Sequence, residues 1–496
     1  MQMLSRRRRA QLALLLPLIA GCAAAPPHTR GVAGVAPAAD RFWTPPAAKT
    51  APVEPAATAP AIPPEAIAGR LANLTLAEVV DVALANSPVT RAAWADAKAA
   101  AAAYGSARGD RLPTIDGTIG ATRTYTGGPA AEAEEYATAY GPGATLSWKV
   151  LDFGGRGGRI EAARQAMLAA DWTHNAVLQD AIFTVESAFY RYAGAKAVLE
   201  ANRLSYAEAE SSVVAAETRH DVGLATIADV LQARTARAQA KLDLQATEGQ
   251  VRTTRGALAV SMGFPANVPY DVQIGVPDVP VEGVSQEVDA LIARAVAGRP
   301  DLLAAQARAQ AASARARTAR SDLLPSLSLS GSAGRTWTDG QVIGGDEYKD
   351  RAAGTLALNL PLFGGFSGRH DLAKARAEAD AAAERARGLR QQVVYEIFVA
   401  HSDFLTAGER VRTVDELMAS ARQSEEVARG RYQEGVGDIL DLLSAQRALA
   451  EARAAQVNAR LGWYISLAQL ARDAGVLGLH GENPLAPGAL HPEVEK

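Results

Sequence analysis

The chain has 496 residues, of which 48% are hydrophobic and only 5% aromatic. That length holds two or three ordinary domains, and an alanine-rich composition with few rings suits long, closely approached helices better than one aromatic core. With 51 basic and 54 acidic residues the net charge is −3, which gives nucleic-acid binding no support, and the single cysteine excludes a disulfide framework or a thiolate metal site.

The chain opens on a targeting segment. Arg6–Arg9 form a basic stretch and Gln11–Ala20 an apolar one. The apolar stretch is too short to span a bilayer, which takes about 20 such residues. Ile19-Ala20-Gly21-Cys22 then resembles the lipobox of bacterial lipoproteins, which implies cleavage before Cys22 and acylation of its thiol and new amine. An ordinary signal peptide with a chance cysteine is the bland alternative. Loss of residues 1–21 leaves 47 basic against 54 acidic residues, a net charge of −7. Residues 22–70 hold ten of the 25 prolines and read as an extended arm, either free or laid along the body.

Two similar halves follow, 71–264 and 288–475, joined by a Pro/Val-rich connector at 265–287 and ending in a tail at 476–496. D-R-L-P-T-I at 110–115 is echoed by D-L-L-P-S-L at 322–327, and R-H-D-V-G-L-A-T-I-A-D-V-L at 219–231 by R-Y-Q-E-G-V-G-D-I-L-D-L-L at 431–443, both at an offset of 212. Such ordered matches at one spacing indicate duplication.

Each half begins with a helix, expected to run unbroken over Thr75–Gly109 and Val288–Arg320, the first with a Thr75/Glu78 capping box. Two period-two segments come next. Ile115, Gly117, Ile119 and Ala121 share one parity, as do Leu146, Trp148 and Val150; the second half offers Leu327 and Leu329, then Leu356, Leu358, Leu360 and Leu362. Each matches the 9–11 residues of a tilted membrane strand. The loops between them are acidic and Gly-rich, as water-exposed loops on the cell's outside would be. One such pair alone reads equally as a half-buried hairpin of a soluble sheet. Four strands cannot close a membrane barrel, and open edges are not tolerated in lipid, so several chains must share one barrel.

Each second strand ends in F-G-G-x-x-G-R, at 153–159 and 363–369. A phosphate-binding loop is excluded because neither G-K-[ST] nor a parallel α/β pattern follows. The motif instead marks a strand-to-helix switch, where Gly154, Gly155, Gly364 and Gly365 supply backbone angles that glycine adopts freely. A helix of about 65 residues, roughly 100 Å, comes next. Its heptad alternates large and small residues: Ile397, Phe404, Val411 and Met418 with Ala400, Ala407, Val414 and Ala421, matched by Val185, Tyr192, Leu199 and Tyr206 with Ala188, Ala195, Asn202 and Ala209. An elongated coiled-coil rod would explain this stretch, though not the strands. At 219–225 and 431–437 the chain reverses around a glycine, and a second helix returns from Ile227 or Ile439, forming a long αα-hairpin.

Together R-P-D-L-L-A-A (299–305), L-L-P-S-L-S-L (323–329), P-L-F-G-G (361–365) and R-Y-x-x-G-x-x-x-x-L-D-L-L (431–443) resemble the TolC family of bacterial outer-membrane channels, in its lipoprotein branch. The resemblance implies a mainly α fold with a membrane β-barrel: a homotrimer whose twelve strands, four per protomer, form one barrel in outer-membrane lipid of a Gram-negative bacterium, set on a periplasmic α-barrel. It implies a passive exit duct working with a periplasmic adaptor (a membrane fusion protein) and an inner-membrane transporter of RND or ABC type.

The same resemblance implies a gate at the hairpin tips. Asp441 would form an acidic ring, with Ser444 where a second acid stands in the family, and Tyr432 and Asp229 would cross-link the hairpins. The arginine that pairs with that aspartate falls at Gly437, so this ion pair is missing. Gly223, Leu224, Ala225, Gly435, Val436 and Gly437 would be the tips that meet the adaptor. From the residues alone, Asp229 and Asp441 read equally as helix N-terminal acids. No enzyme, cofactor or metal site is expected: the seven histidines show no ligand spacing and no G-x-S-x-G occurs. A type I protein secretion duct and a non-conducting periplasmic tether remain the alternatives.

Overall fold

The computed structural model describes residues 36, 38–44, 73–126, 135–273, 288–340 and 347–477. The signal segment, Cys22, loops 127–134 and 341–346, residues 274–287 and the tail from 478 lie outside the described residues. The first half comprises α1 (Leu76–Asn86), α2 (Pro88–Gly109), β1 (Thr114–Thr126), β2 (Glu135–Leu151), α3 (Gly155–Asp221) and α4 (Ile227–Ser261). The second comprises α5 (Val288–Gly298), α6 (Pro300–Ser321), β3 (Ser326–Gly340), β4 (Glu347–Asn359), α7 (Ser367–Gln433) and α8 (Ile439–Asp473). The corresponding helices have equal lengths, 11, 22, 67 and 35 residues in each half, as a duplication requires.

The opening helix of each half is broken where an unbroken one was expected. Ser87 and Arg299 take extended angles (ψ 120° and 122°) because Pro88 and Pro300 follow them. Proline excludes the α region for the residue before it and offers no N–H, so a new helix starts with proline in its first turn. The Thr75/Glu78 capping box opens α1 as the spacing indicates.

The four strands form one antiparallel sheet in the order β1-β2-β3-β4. They run 13, 17, 15 and 13 residues, longer than the period-two segments alone, because parts of the acidic joining stretches also pair. The register places Ile115 opposite Leu146, Trp148 opposite Leu329, and Leu329 and Leu327 opposite Leu356 and Leu358. Directly opposed residues share a face, so most of the expected apolar set covers one side of the sheet; Leu360 and Leu362 lie beyond the end of β4, and Val150 falls at a register shift where Leu151 pairs with Leu327 in its place. Asp116, Thr145, Ser147, Ser328, Ser330, Ser332 and Thr355 occupy the other. Ile119 is 77% and Leu358 61% exposed, so within one chain the apolar face has no cover. Toward the far end of this face the Tyr125/Tyr136 pair and the Tyr140/Trp337 stack form an aromatic band, with ring centroids 4.8 and 5.9 Å apart. Such bands sit at membrane interfaces. Among the described residues β1 and β4 each have one neighbour, so both outer edges of this sheet are open there.

Below each strand pair the chain turns into a 67-residue helix, roughly 100 Å long. The left-handed turn is carried by Phe153 and Gly154 (φ 46° and 99°) and by Gly365 and Phe366 (φ 62° and 66°). Gly154 and Gly365 thus take angles that glycine adopts without steric cost. Gly155 instead permits close approach, since a Cβ there would lie 2.4 Å from Ser321 Oγ, and Gly364 shows neither feature. The last glycine of each motif is likewise a contact point: a Cβ on Gly158 would meet Thr318 Oγ1 at 2.4 Å, and one on Gly368 Leu323 Cδ2 at 2.6 Å.

The heptad residues form the core of the helical wall. Ile397, Phe404, Val411 and Met418 are buried, as are Val185, Tyr192 and Leu199. α3 packs against α1, α2, α4, α6 and α8, and α7 against α5, α6 and α8. α7 retains an outer row, including Tyr395, Phe398, Leu405 and Leu417, about half or more exposed. Residues 36 and 38–44 of the arm lie on the body. Trp43 is buried edge-on against Trp172, its backbone N–H donates to Asn175 Oδ1 at 2.6 Å, and its carbonyl accepts from Asn175 Nδ2 at 2.7 Å. Trp94 donates to the Ala36 carbonyl at 3.0 Å.

Candidate functional site

The two hairpin tips are built by one local recipe. Gly223 and Gly435 both adopt φ 78°, the left-handed angle that ends a helix without steric cost to glycine. Leu224 N–H then reaches back to the Arg219 carbonyl, and Val436 N–H to the Arg431 carbonyl, at 2.7 and 3.0 Å. Leu224 and Val436 are 72% and 70% exposed, and Val222, Ile227 and Leu440 beside them are also exposed, so both tips present large apolar side chains to solvent. Ala225 is half-buried, and its carbonyl lies 3.0 Å from His220 Nδ1.

The returning helices start on side-chain caps. Thr226 caps α4, and Asp229 closes a capping box by accepting from Thr226 N–H at 2.7 Å. Asp438 caps α8 through Leu440 N–H at 3.1 Å. Asp229 thus serves its own helix terminus, where a carboxylate also opposes the helix dipole favourably. Asp441 is exposed in the first turn of α8. It lines a groove of ≈ 660 Å³ between α7 and α8 together with Arg431, Gly437 and Ser444.

A separate apolar cluster joins the two tips. Val213, Ala216, Val230, Ala233, Ile439 and Leu442 surround Tyr432, so all four long helices contribute. Burial raises the Tyr432 phenol above its ordinary pKa against the opposing pull of Arg219. The Tyr432 hydroxyl is buried without a hydrogen-bond partner, so the structure does not join it to Asp229. Arg219 was not among the residues the sequence singled out. Its Nη1 donates to the Tyr432 carbonyl, and its guanidinium lies 4.7 Å from the centre of the Tyr432 ring. The signal was available, since Arg219 aligns with Arg431 at the repeat offset, but the pairing across tips required the fold.

A sheet with an apolar outer face and two open edges, continued by helices that cross roughly 100 Å to matched turns, defines a protomer of an outer-membrane channel. The chain belongs to the outer membrane efflux protein family, whose model matches residues 79–264 and 291–476, the two repeats. It is similar to protein CyaE of Bordetella pertussis, 30% identical over 96% of this chain and 98% of that one. It also resembles outer membrane protein OprJ of Pseudomonas aeruginosa, 29% identical over 82% and 85% of the two chains. Among solved structures, a membrane protein from Pseudomonas aeruginosa superposes with a TM-score of 0.73 at 25% identity, covering 84% of this chain and 93% of the other. The chain is accordingly an outer-membrane component of efflux.

Proposed function

We propose that three copies form one exit duct, passively carrying cargo from a periplasmic adaptor and an inner-membrane pump of RND or ABC type to the exterior. The observation that carries this reading is the sheet: its apolar face needs lipid, and its two free edges need other strands. Twelve strands from three copies meet both demands. In this reading Cys22 carries the lipid anchor, and residues 36 and 38–44 of the same arm are docked on the helical wall.

The periplasmic end is the gate, and the exposed Leu224 and Val436 with their flanking residues are the surface the adaptor engages. Three copies of Asp441 at a narrow opening favour cations and repel anions until the helices part. Full-length protein in planar lipid bilayers is expected to conduct with cation preference, and Asp441→Asn to weaken that preference. Absence of current would overturn the duct; unchanged selectivity would place Asp441 away from the constriction.

A further inference from the structure

We propose that Arg219 is the positioning residue that ties the two hairpin tips of one protomer together and so holds the resting gate closed. The inference rests on the channel reading above and deepens it. One side chain, at the end of α3, engages the end of α7 in three ways. It donates to the Tyr432 carbonyl, covers the Tyr432 ring, and lies across the second tip, where a Cβ on Gly435 would come 3.1 Å from Nη2. A cation over an aromatic face, half removed from water, is among the stronger contacts a partly exposed site offers.

The other candidate ties are occupied or absent. Asp229 is committed to its capping box, and the Tyr432 hydroxyl has no hydrogen-bond partner. Gly437 carries no side chain for a steric reason: a Cβ there would lie 3.0 Å from Arg431 C, Arg431 Cβ and Tyr432 N. The second turn is thus folded tightly onto the Arg431–Tyr432 backbone, the same stretch whose other side Arg219 holds. Arg431, the repeat counterpart of Arg219, lines the groove with Asp441 instead. The duplicated arginines have diverged in task, one spanning the tips and one beside the acidic position. Any opening that parts α7 from α3 must draw Tyr432 out from under Arg219.

The test measures the open fraction of full-length protein in planar bilayers for Arg219→Ala, Tyr432→Ala, the double variant and the conservative Tyr432→Phe. Each is first checked for assembly as a heat-sensitive oligomer. Arg219→Ala and Tyr432→Ala are each expected to raise the open fraction roughly tenfold, the scale of one such contact. Because the Tyr432 ring also packs in the apolar cluster, the test is the coupling: Arg219→Ala should raise the open fraction less in the Tyr432→Ala background than in wild type, and Tyr432→Phe, which keeps the ring, should stay as closed as wild type. If Arg219→Ala fails to assemble, Arg219→Gln, which keeps N–H donors without the charge, is expected to open the tip in its place. Wild-type open fraction in Arg219→Ala, or in Arg219→Gln as its substitute, would overturn the proposal. So would a Tyr432→Phe variant as open as Tyr432→Ala, since the hydroxyl would then be the tie. A wild type that passes no current would overturn the channel reading itself, a distinguishable failure.

Discussion

Asp171 shows what a single residue can carry unseen. In the sequence it is one acid on an alanine-rich helix, outside the heptad stretch Val185–Ala209. In the fold it is fully buried, with neither carboxylate oxygen hydrogen-bonded, and burial pushes its pKa up to about 8. The carboxyl is thus neutral when folded and ionised when unfolded above about pH 4, so stability is lost as pH rises from there toward about 8. Nearby His174 acts in the opposite sense, its pKa lowered by burial, and its contribution fades below about pH 6.5. Asp171→Asn leaves His174 in place and removes only the first effect. Its melting temperature relative to wild type is expected to rise from pH 5 to pH 8, at up to about 1.4 kcal/mol of stability per pH unit. A constant difference would show that Asp171 is ionised in the folded protein. At this scale little of the site was legible. The glycines of the tips announced themselves, but the partners of Arg219, Tyr432 and Asp229 depend on which helices meet.

Elements were far more legible. The heptad marked the buried seam because its period is a property of the helix itself, and the parity of Ile115, Leu146, Leu329 and Leu356 marked the apolar face before their register was known. The breaks before Pro88 and Pro300 differ from the unbroken helices expected there, and their cause is local: each proline forces the residue before it out of the helical region. In the F-G-G-x-x-G-R motifs backbone angle is only part of the demand on glycine, since Gly155, Gly158 and Gly368 stand where a Cβ would meet a neighbouring side chain. Gly158 lies where a Cβ would sit 3.0 Å from the Ala314 carbonyl and 2.4 Å from Thr318 Oγ1. Gly158→Ala is therefore expected to force α3 from α6 at a cost of about 1–3 kcal/mol. Oligomer dissociation on heated gels would fall to lower temperature, and Thr318→Ala would recover part of the loss. An unshifted transition would mean that the two helices have room to spare.

For the molecule as a whole, duplication was legible and assembly was implied by what the chain lacks. A strand edge left in hydrocarbon strands its N–H and C=O groups without water, at several kcal/mol each, so a lone four-stranded sheet cannot persist there. The exposed row on α7 continues the same argument below the membrane. The path of the arm was not legible, because proline-rich sequence specifies extension and not direction; Trp43 and its reciprocal hydrogen bonds with Asn175 fix it to the body. The most direct test of the shared wall is the native mass of the full-length protein released gently from outer membranes. Three chains per particle are expected. A folded, membrane-extracted particle containing one chain would contradict the account.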